Sequence, residues 1–528
     1  MRCPGLRARG VRAAPHQEGR PGRGGVAHGV SRAAGPKLLP ETRPAAQALA
    51  RSGVEQCHKR LEMMTMASRT ASEPTSASAA AAEGSSGGTD AAGPEAAPET
   101  APGTASASEP EANLADPGFW QLPHDRRHRI FAALREQEAP AYFAQPPHVV
   151  RRHRQPGFYA LVRHAHVLEA SRNPAVFGSA PGVTTPHPAP WVKALFGDSM
   201  VNLDGRDHAR LRKIISRAFS PRLLAGAEQD IEKVVADVVA DAVRQPSRDF
   251  VTAVASLVPC EVVCNMMGIP RRHRPRILAQ LNDASENIGV RRGAGAKFRV
   301  PGKGLRALAR MHVMIAMLAR ERRRRPTDDL ISALVTADID GQCLGNRQLG
   351  AFFTLLMVAG VETTRNAISH GLALLAEHPD QRELWESDFE KYADTAVEEI
   401  VRYSTPIIQF RRTLRSDHVM GGRTLREGET VALYYASANR DEAVFTDPDA
   451  FDITRDPNPH LGYGGGGPHY CLGAHLARQE LKALFRLLLT DSVGMRAAGL
   501  PDLVPSSFDN RIRSLEFEVA KGVSGSAG

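Results

Sequence analysis

His460-Leu461-Gly462-Tyr463-Gly464-Gly465-Gly466-Gly467-Pro468-His469-Tyr470-Cys471-Leu472-Gly473 runs straight into a helical pattern from Ala474 to Leu489. Four consecutive glycines and a proline forbid a regular element, because glycine loses the most backbone entropy on ordering and proline lacks an N–H. A backbone of this kind is expected where something must approach it closely. Cys471 then stands at the entrance to a helix whose apolar residues Leu472, Leu476, Leu481, Leu484, Phe485 and Leu488 keep roughly helical spacing. A helix N-terminus offers partial positive charge and free N–H groups, and both favour thiolate over thiol. Cys471 is therefore expected to be an anion. Residue type alone leaves it open as a nucleophile, a redox cysteine or a metal ligand.

No second cysteine lies within disulfide or CxxC reach of Cys471, which weakens the redox reading. The flat glycine-rich approach suits a large planar group better than a peptide. The stretch resembles the haem-ligand loop of the cytochrome P450 superfamily, in which aromatic-Gly-x-Gly-x-His-x-Cys-x-Gly presents a thiolate to haem iron. Gly465, Gly467, His469, Cys471 and Gly473 occupy the matching positions, but the aromatic position holds Gly464, with Tyr463 one residue earlier. That displacement is similar to the loop of actinobacterial members that oxidise steroid side chains and methyl-branched lipids.

Companion motifs follow the same resemblance in chain order. The apolar run from Phe352 to Asn366 is too short to span a membrane and is expected to be a central buried helix. Gly360 removes a side chain there, and Glu362 and Thr363 place an acid and an alcohol beside the gap. The family's Ala-Gly-x-Glu/Asp-Thr-Thr pattern implies Thr363 as the oxygen-side alcohol and Glu362 as the proton carrier, a relay that delivers protons without flooding the site. Upstream, His208 and Arg212 are four residues apart, share a helix face and could hold one carboxylate together. In the family the matching pair binds a haem propionate. Arg210, Lys213, Arg217 and Arg222 belong to the same helix and its end, either to dock an acidic electron donor or as a solvated face.

Glu399 and Arg402, three apart, would alone be an ordinary surface pair worth about 0.2–0.5 kcal/mol. The resemblance implies more: with Arg455 they form a structural network that holds the cysteine loop. Arg412, with Arg411 as the adjacent alternative, matches the arginine that meets a propionate, and Pro406-Ile407-Ile408-Gln409 before it would face substrate. Cys260 and Cys264, one helical turn apart in an apolar helix, read as core.

The chain has 528 residues, of which 1 to about 112 are dominated by Ala, Gly, Pro, Ser, Arg and Glu, the composition of a disordered extension. Residues 113–528 form one expected catalytic domain, mainly α with a small β part. The net charge of +9 resides in the leader, since residues 1–60 hold 10 Arg and 2 Lys against 3 Glu. Basic and acidic residues are equal in number over the remainder, and no aromatics are interleaved with basic residues as in a reader of bases, so specific nucleic-acid binding is not expected. The leader has no apolar run for a signal peptide or membrane anchor. Met63, Met64 and Met66 leave open a start in that cluster as well as a genuine extension. The six cysteines, Cys3, Cys57, Cys260, Cys264, Cys343 and Cys471, show no disulfide framework, which points to a reducing, cytoplasmic setting.

Before the central helix, a helix is expected over His124–Glu138, a strand at Gly157–Val162 and a further helix ending near Asn173. Long amphipathic helices are expected over Glu228–Gly268 and Gly304–Arg324. Between the latter two lies a possible lid, Ile288–Gly304, whose plain alternative is a connector.

Together the resemblance implies a haem b monooxygenase with Cys471 as metal ligand. His208, Arg212, Arg412 and His469 would hold the propionates, O2 would be co-substrate, and thiolate donation would favour O–O cleavage. The chain carries no flavin or iron–sulfur pattern, so NAD(P)H electrons would arrive through a ferredoxin and its reductase. The expected reaction is terminal hydroxylation of a steroid side chain or methyl-branched lipid, with Trp191, Phe196, Phe352, Phe353, Leu356, Ile407 and Ile408 as candidate walls. The rivals are a terpene or polyketide hydroxylase, a peroxide-driven peroxygenase and a non-catalytic haem-binding protein. The sequence does not give the oligomeric state.

Overall fold

The computed structural model describes residues 113–147, 156–184, 198–219, 221–244, 248–285, 302–337, 344–490 and 494–519. The leader, Trp191, Phe196, nearly all of the expected lid, Cys3, Cys57 and Cys343 lie outside these residues.

The N-terminal part alternates helix and strand: α1 (His124–Arg135), β1 (Ala141–Ala144), β2 (Gly157–Leu161), α2 (His164–Arg172) and β3 (Phe177–Gly178). A helical body follows, with α3 (Gly205–Ala218), α4 (Pro221–Arg244), α5 (Leu257–Met266), α6 (Arg274–Ser285), α7 (Gly302–Arg324), α8 (Leu330–Thr336) and α9 (Asn346–Met357). It continues through α10 (Thr363–Glu377), α11 (Pro379–Ser387) and α12 (Phe389–Ser404). Strands β4 (Gln409–Leu414), β5 (His418–Met420), β6 (Arg423–Leu425) and β7 (Thr430–Tyr434) come next, then the short α13 (Tyr435–Ala438). After the cysteine loop come α14 (Ala474–Thr490) and strands β8 (Met495–Ala497), β9 (Asp502–Val504), β10 (Arg511–Ser514) and β11 (Phe517–Val519).

One five-stranded sheet has the order β1-β2-β7-β4-β3; β2 and β7 are parallel, with Tyr159 opposite Val431, and the other pairs are antiparallel. Three two-stranded ribbons complete the β part among the described residues. The fold is thus mainly helical with small sheets, as expected.

α10 is the axis of the body, because residues Thr364 through Leu375 are all buried. It crosses α14 at Gly371, where an added Cβ would lie 2.5 Å from the Phe485 ring. Phe485 is fully buried and stacks at a tilt on Trp385, 5.4 Å between ring centres. Truncating such a side chain costs about 3–5 kcal/mol.

Two segments break the helical expectation in the same way. Val251–Ala255 and Val358–Glu362 are π-helical, each widening a turn by one residue. The long helical stretch expected over Glu228–Gly268 is α4, which ends at Arg244, and, after a bridge at Asp249, the first π turn running into α5. Pattern reading misses this because a π turn keeps the apolar character of its neighbours and only rotates the face that carries it.

Candidate active site

The cysteine loop is held from behind by α12. Glu399 and Arg402 are fully buried and pair twice, Nε to Oε2 at 2.7 Å and Nη2 to Oε1 at 2.8 Å. Arg402 also donates to the carbonyls of Asn439, Pro448 and Ala450. Arg455 donates to Glu399 Oε1 at 3.3 Å and to the carbonyls of Thr446, Asp447 and Ala450. Glu399 further accepts from the Asp452 N–H and from Asn458 Nδ2, both at 3.0 Å. Asn439 joins this network to the loop by accepting the Leu461 N–H at 2.7 Å. The three residues expected as a structural network are thus brought together.

At the loop itself, the Cys471 N–H donates to the Tyr463 carbonyl at 3.0 Å. The glycines divide into two kinds. An added Cβ at Gly465 would come within 2.8 Å of Ser171, and one at Gly467 within 2.5 Å of the Ser171 carbonyl, so both are required by packing on α2. This packing adds a second demand for glycine at these two positions, beside the expected approach of a flat ligand. At Gly473 nothing lies within 4 Å, so no protein atom in its surroundings demands a glycine there.

Cys471 is exposed on the wall that the loop makes, yet neighbouring protein desolvates its thiol. Burial pushes the Cys471 thiol above its ordinary value; the Gly473 N–H, Arg212 and Arg478 pull the other way. α14 begins three residues later, at Ala474, so Cys471 precedes the helix and does not stand in its first turn. A bound metal ionises a coordinating thiol outright.

Four candidate propionate partners gather around this wall or on the sheet beside it. On α3, His208 is buried with its ring 4.1 Å from that of His469, and Arg212 Nη2 donates to the Tyr470 carbonyl at 2.8 Å. Burial, then the neighbouring His469 and Arg212, lower the His208 imidazole to about 4. His469 Nε2 is already engaged by Ser179 Oγ at 3.1 Å, with Asp204 Oδ1 at 3.6 Å, which leaves Nδ1 available. Asp204 is fixed by the N–H groups of Ser179 and Ala180 and by Arg415. Ser179 and Asp204 were not singled out in the sequence, although Asp204 opens the His208 motif.

On β4 the alternation separates the two arginines. Arg411 packs over the Phe158 ring at 4.4 Å, beside Tyr434 and within the outer apolar cluster. Arg412 lies near Tyr435, which belongs to the cluster that packs beneath the loop, and its Nη1 donates to the Arg411 carbonyl at 2.8 Å. Ile408 also turns outward, packing with Trp120 and Phe158, while Ile407 packs on the loop side. The expectation that Ile408 walls the substrate is therefore corrected, and Phe353, fully buried in the main core, is ordinary packing as well.

The central helix opens at its π turn. Val358 and Ala359 are exposed between the buried Met357 and Val361, and a Cβ on Gly360 would meet only Val263, at 3.3 Å. Thr363 Oγ1 donates to the Ala359 carbonyl at 2.5 Å. Glu362 lies on the buried side, where Oε2 pairs with Arg365 and Oε1 has no partner. Arg365 in turn reaches Asn282 Oδ1 on α6 at 3.2 Å. Sequence reasoning missed Arg365, although it stands three residues beyond the acid.

The cytochrome P450 family profile matches residues 303–491. The chain is 40% identical over 422 residues to the methyl-branched lipid omega-hydroxylase of Mycobacterium tuberculosis, covering 77% of this chain and 95% of that protein. It is 34% identical over 394 residues to the steroid C26-monooxygenase of Mycolicibacterium smegmatis, covering 73% of this chain and 89% of that protein.

This chain is a cytochrome P450.

Among solved structures the P450 is similar to Mycobacterium marinum cytochrome P450 CYP268A2 in complex with pseudoionone. The TM-score is 0.69 and the identity 36%, covering 78% of this chain and all of that one. The family is one of haem monooxygenases that use O2, and the residues present fit that group. His208, Arg212 and Arg412 make no hydrogen bond or ion pair to a carboxylate among the described residues, as befits donors awaiting acidic groups. The accessible Cys471 sulfur and the open face of Gly473 supply the ligand and the clearance. Among the described residues, no helix of this P450 is long and apolar enough to cross a membrane.

Proposed function

We propose that this P450 hydroxylates the terminal carbon of a methyl-branched lipid or a steroid side chain. The observation that carries the reading is the similarity to the omega-hydroxylase over 95% of that protein's length. Haem held by Cys471, with His208, Arg212, Arg412 and His469 toward its propionates, supplies the activation of O2. Every other requirement falls on the chain.

A terminal methyl is harder to oxidise than an interior carbon, so selectivity must come from positioning, where proximity outweighs intrinsic reactivity. Val358, Ala359, Leu356 and Ile407 give the approach an apolar character and hold no anchor for a sugar or peptide. The Thr363 hydroxyl, which donates to the Ala359 carbonyl, hands a proton toward the open face. Glu362, held by Arg365, supplies it from the buried side.

Electrons come from NAD(P)H through a ferredoxin reductase and a ferredoxin, in the cytoplasm. Lys213 and Arg217, exposed on the same helix as His208, offer an acidic ferredoxin its docking charges.

The test is a substrate screen on the haem-loaded protein. A methyl-branched fatty alcohol and a sterol-like enone should shift the haem spin state and be hydroxylated at the chain terminus with NAD(P)H, reductase and ferredoxin. Tight binding and turnover only of small terpenes or macrolide-type polyketides would overturn the reading. The pseudoionone complex of the M. marinum relative makes terpenes the competitor to include. Turnover with peroxide alone would instead identify a peroxygenase.

A further inference from the structure

The loop's displaced aromatic has its own support, which the roles above do not use. The Tyr463 ring lies under the Arg478 guanidinium, 4.2 Å from carbon to ring centre, and 5.7 Å from the His460 ring. Arg478 is clamped by Glu398, Nε to Oε1 at 2.5 Å and Nη2 to Oε2 at 2.9 Å. His460 Nε2 reaches the same carboxylate at 3.0 Å, and its Nδ1 accepts the Gly462 N–H at 3.0 Å. Desolvation would raise the Glu398 acid, but the bonds from Arg478 and His460 outweigh it and hold the group down at about 2. Glu398 is therefore a permanent anion that pins both partners.

These contacts converge on the cysteine through the backbone. Tyr463, whose ring is fixed by Arg478, is the residue whose carbonyl accepts the Cys471 N–H. Gly464, at φ +95°, follows Tyr463 and brings no ring of its own to the position where the motif places one. Arg478 also places a positive charge at this loop, since its guanidinium lies over the ring of the residue whose carbonyl holds the Cys471 N–H. Arg212 is fixed to the Tyr470 carbonyl from α3, whereas Arg478 comes from α14. A bidentate, stacked guanidinium is the geometry in which arginine is both immobile and charged.

We propose that Glu398, Arg478 and Tyr463 form a positioning unit that sets how strongly Cys471 donates to bound iron, Arg478 supplying the charge and the Tyr463 stack fixing the cysteine backbone. This deepens the assignment of Cys471 as ligand and rests on it. Hydrogen bonding, charge and burial around a ligating sulfur are the protein's levers on the potential of the metal it holds. Removing a positive charge beside the thiolate destabilises the more negative, reduced state, so the potential falls.

The experiment uses the full-length, haem-loaded protein. Wild type, Arg478→Gln, Arg478→Lys, Tyr463→Phe and Tyr463→Leu are compared by reduction potential, by the absorption of the reduced carbon monoxide complex, and by thermal midpoint. Arg478→Gln should move the potential to a more negative value, and Arg478→Lys should restore most of it. Tyr463→Phe should match wild type, since the hydroxyl makes no hydrogen bond among the described residues. Tyr463→Leu should convert part of the red-shifted carbon monoxide band to the shorter-wavelength form. Lowered midpoints with an unmoved potential and an intact band would overturn the proposal and leave the cluster a packing element. If Arg478→Gln fails to fold, the Tyr463→Leu and Arg478→Lys pair still decides it. Should wild type itself lack the red-shifted band, the failure belongs to the Cys471 assignment.

Discussion

The two sides of the candidate site are built on opposite plans. Behind the cysteine loop, the charges of Glu399, Arg402 and Arg455 are spent on hydrogen bonds to one another and to backbone carbonyls. On the central helix, Glu362 Oε1, Arg365 Nε and both amide atoms of Asn366, within a single turn, are buried and meet no hydrogen-bonding protein group among the described residues. Unpaired buried polar atoms each cost stability, and native proteins keep them chiefly where function asks for them. One side is a closed set of ion pairs and hydrogen bonds, and the other carries polar atoms that no protein group among the described residues engages.

The largest expected effect comes from breaking the first side. Glu399→Gln leaves the fully buried Arg402 and the nearby Arg455 without their counter-charge, which should cost about 3–5 kcal/mol. Thermal unfolding should show a steep drop in midpoint together with loss of bound haem. A midpoint near wild type would remove the contrast.

Thr363→Ala probes the second side and should leave stability within about 1 kcal/mol, since it removes one local hydrogen bond. Substrate should still bind and electrons still be consumed, but appear as peroxide or water. Tight coupling of electron use to product in this variant would take Thr363 out of the relay.

Acid–base behaviour sharpens the comparison further. Glu480, buried on α14 with Oε2 unpartnered, is an exception on the well-paired side; burial raises its acid to about 8. The folded state then holds a proton that the unfolded state releases above the ordinary value of 4.5, so its contribution weakens folding as pH rises from there toward 8. Glu480→Gln should therefore raise the midpoint more at pH 8 than at pH 5, by no more than about 1.4 kcal/mol per pH unit. His208 and His370, both lowered to about 4 with burial as the main cause, run the other way. The unfolded state takes up their protons first, so stability falls as pH drops from 6.5 toward 4.

The smallest effect is expected at Arg411, a buried cation with Nε and Nη1 unpartnered. Arg411→Met should be neutral or slightly stabilising, because replacing such a charge by an apolar group of similar volume removes a desolvation cost. A loss of haem in this variant, measured beside Arg412→Gln, would reverse the choice between the two arginines.

Much of this was legible in the sequence wherever a function is written into neighbouring residues. The glycine loop and Cys471, the acid and alcohol after Gly360, and the pair Glu399 and Arg402 all carry their spacing within one segment. What stayed hidden depends on which way a side chain turns once distant segments meet. The choice between Arg411 and Arg412 follows from β4 lying between two apolar clusters, and the outward turn of Ile408 has the same cause. Glu398 reads as one more surface acid until α14 delivers Arg478 to it, 80 residues later. The π turns are invisible because an inserted residue changes the phase of a helix without changing its composition.

Arg402 and Arg455 hold the stretch between them by its carbonyl oxygens, at Asn439, Thr446, Asp447, Pro448 and Ala450. Every amino acid has a carbonyl. The scaffold of this stretch therefore places little demand on which side chains occupy many of its positions, so long as two arginines and one glutamate persist. Side chains on its outer surface can be exchanged while the carbonyls that the two arginines grip stay in place.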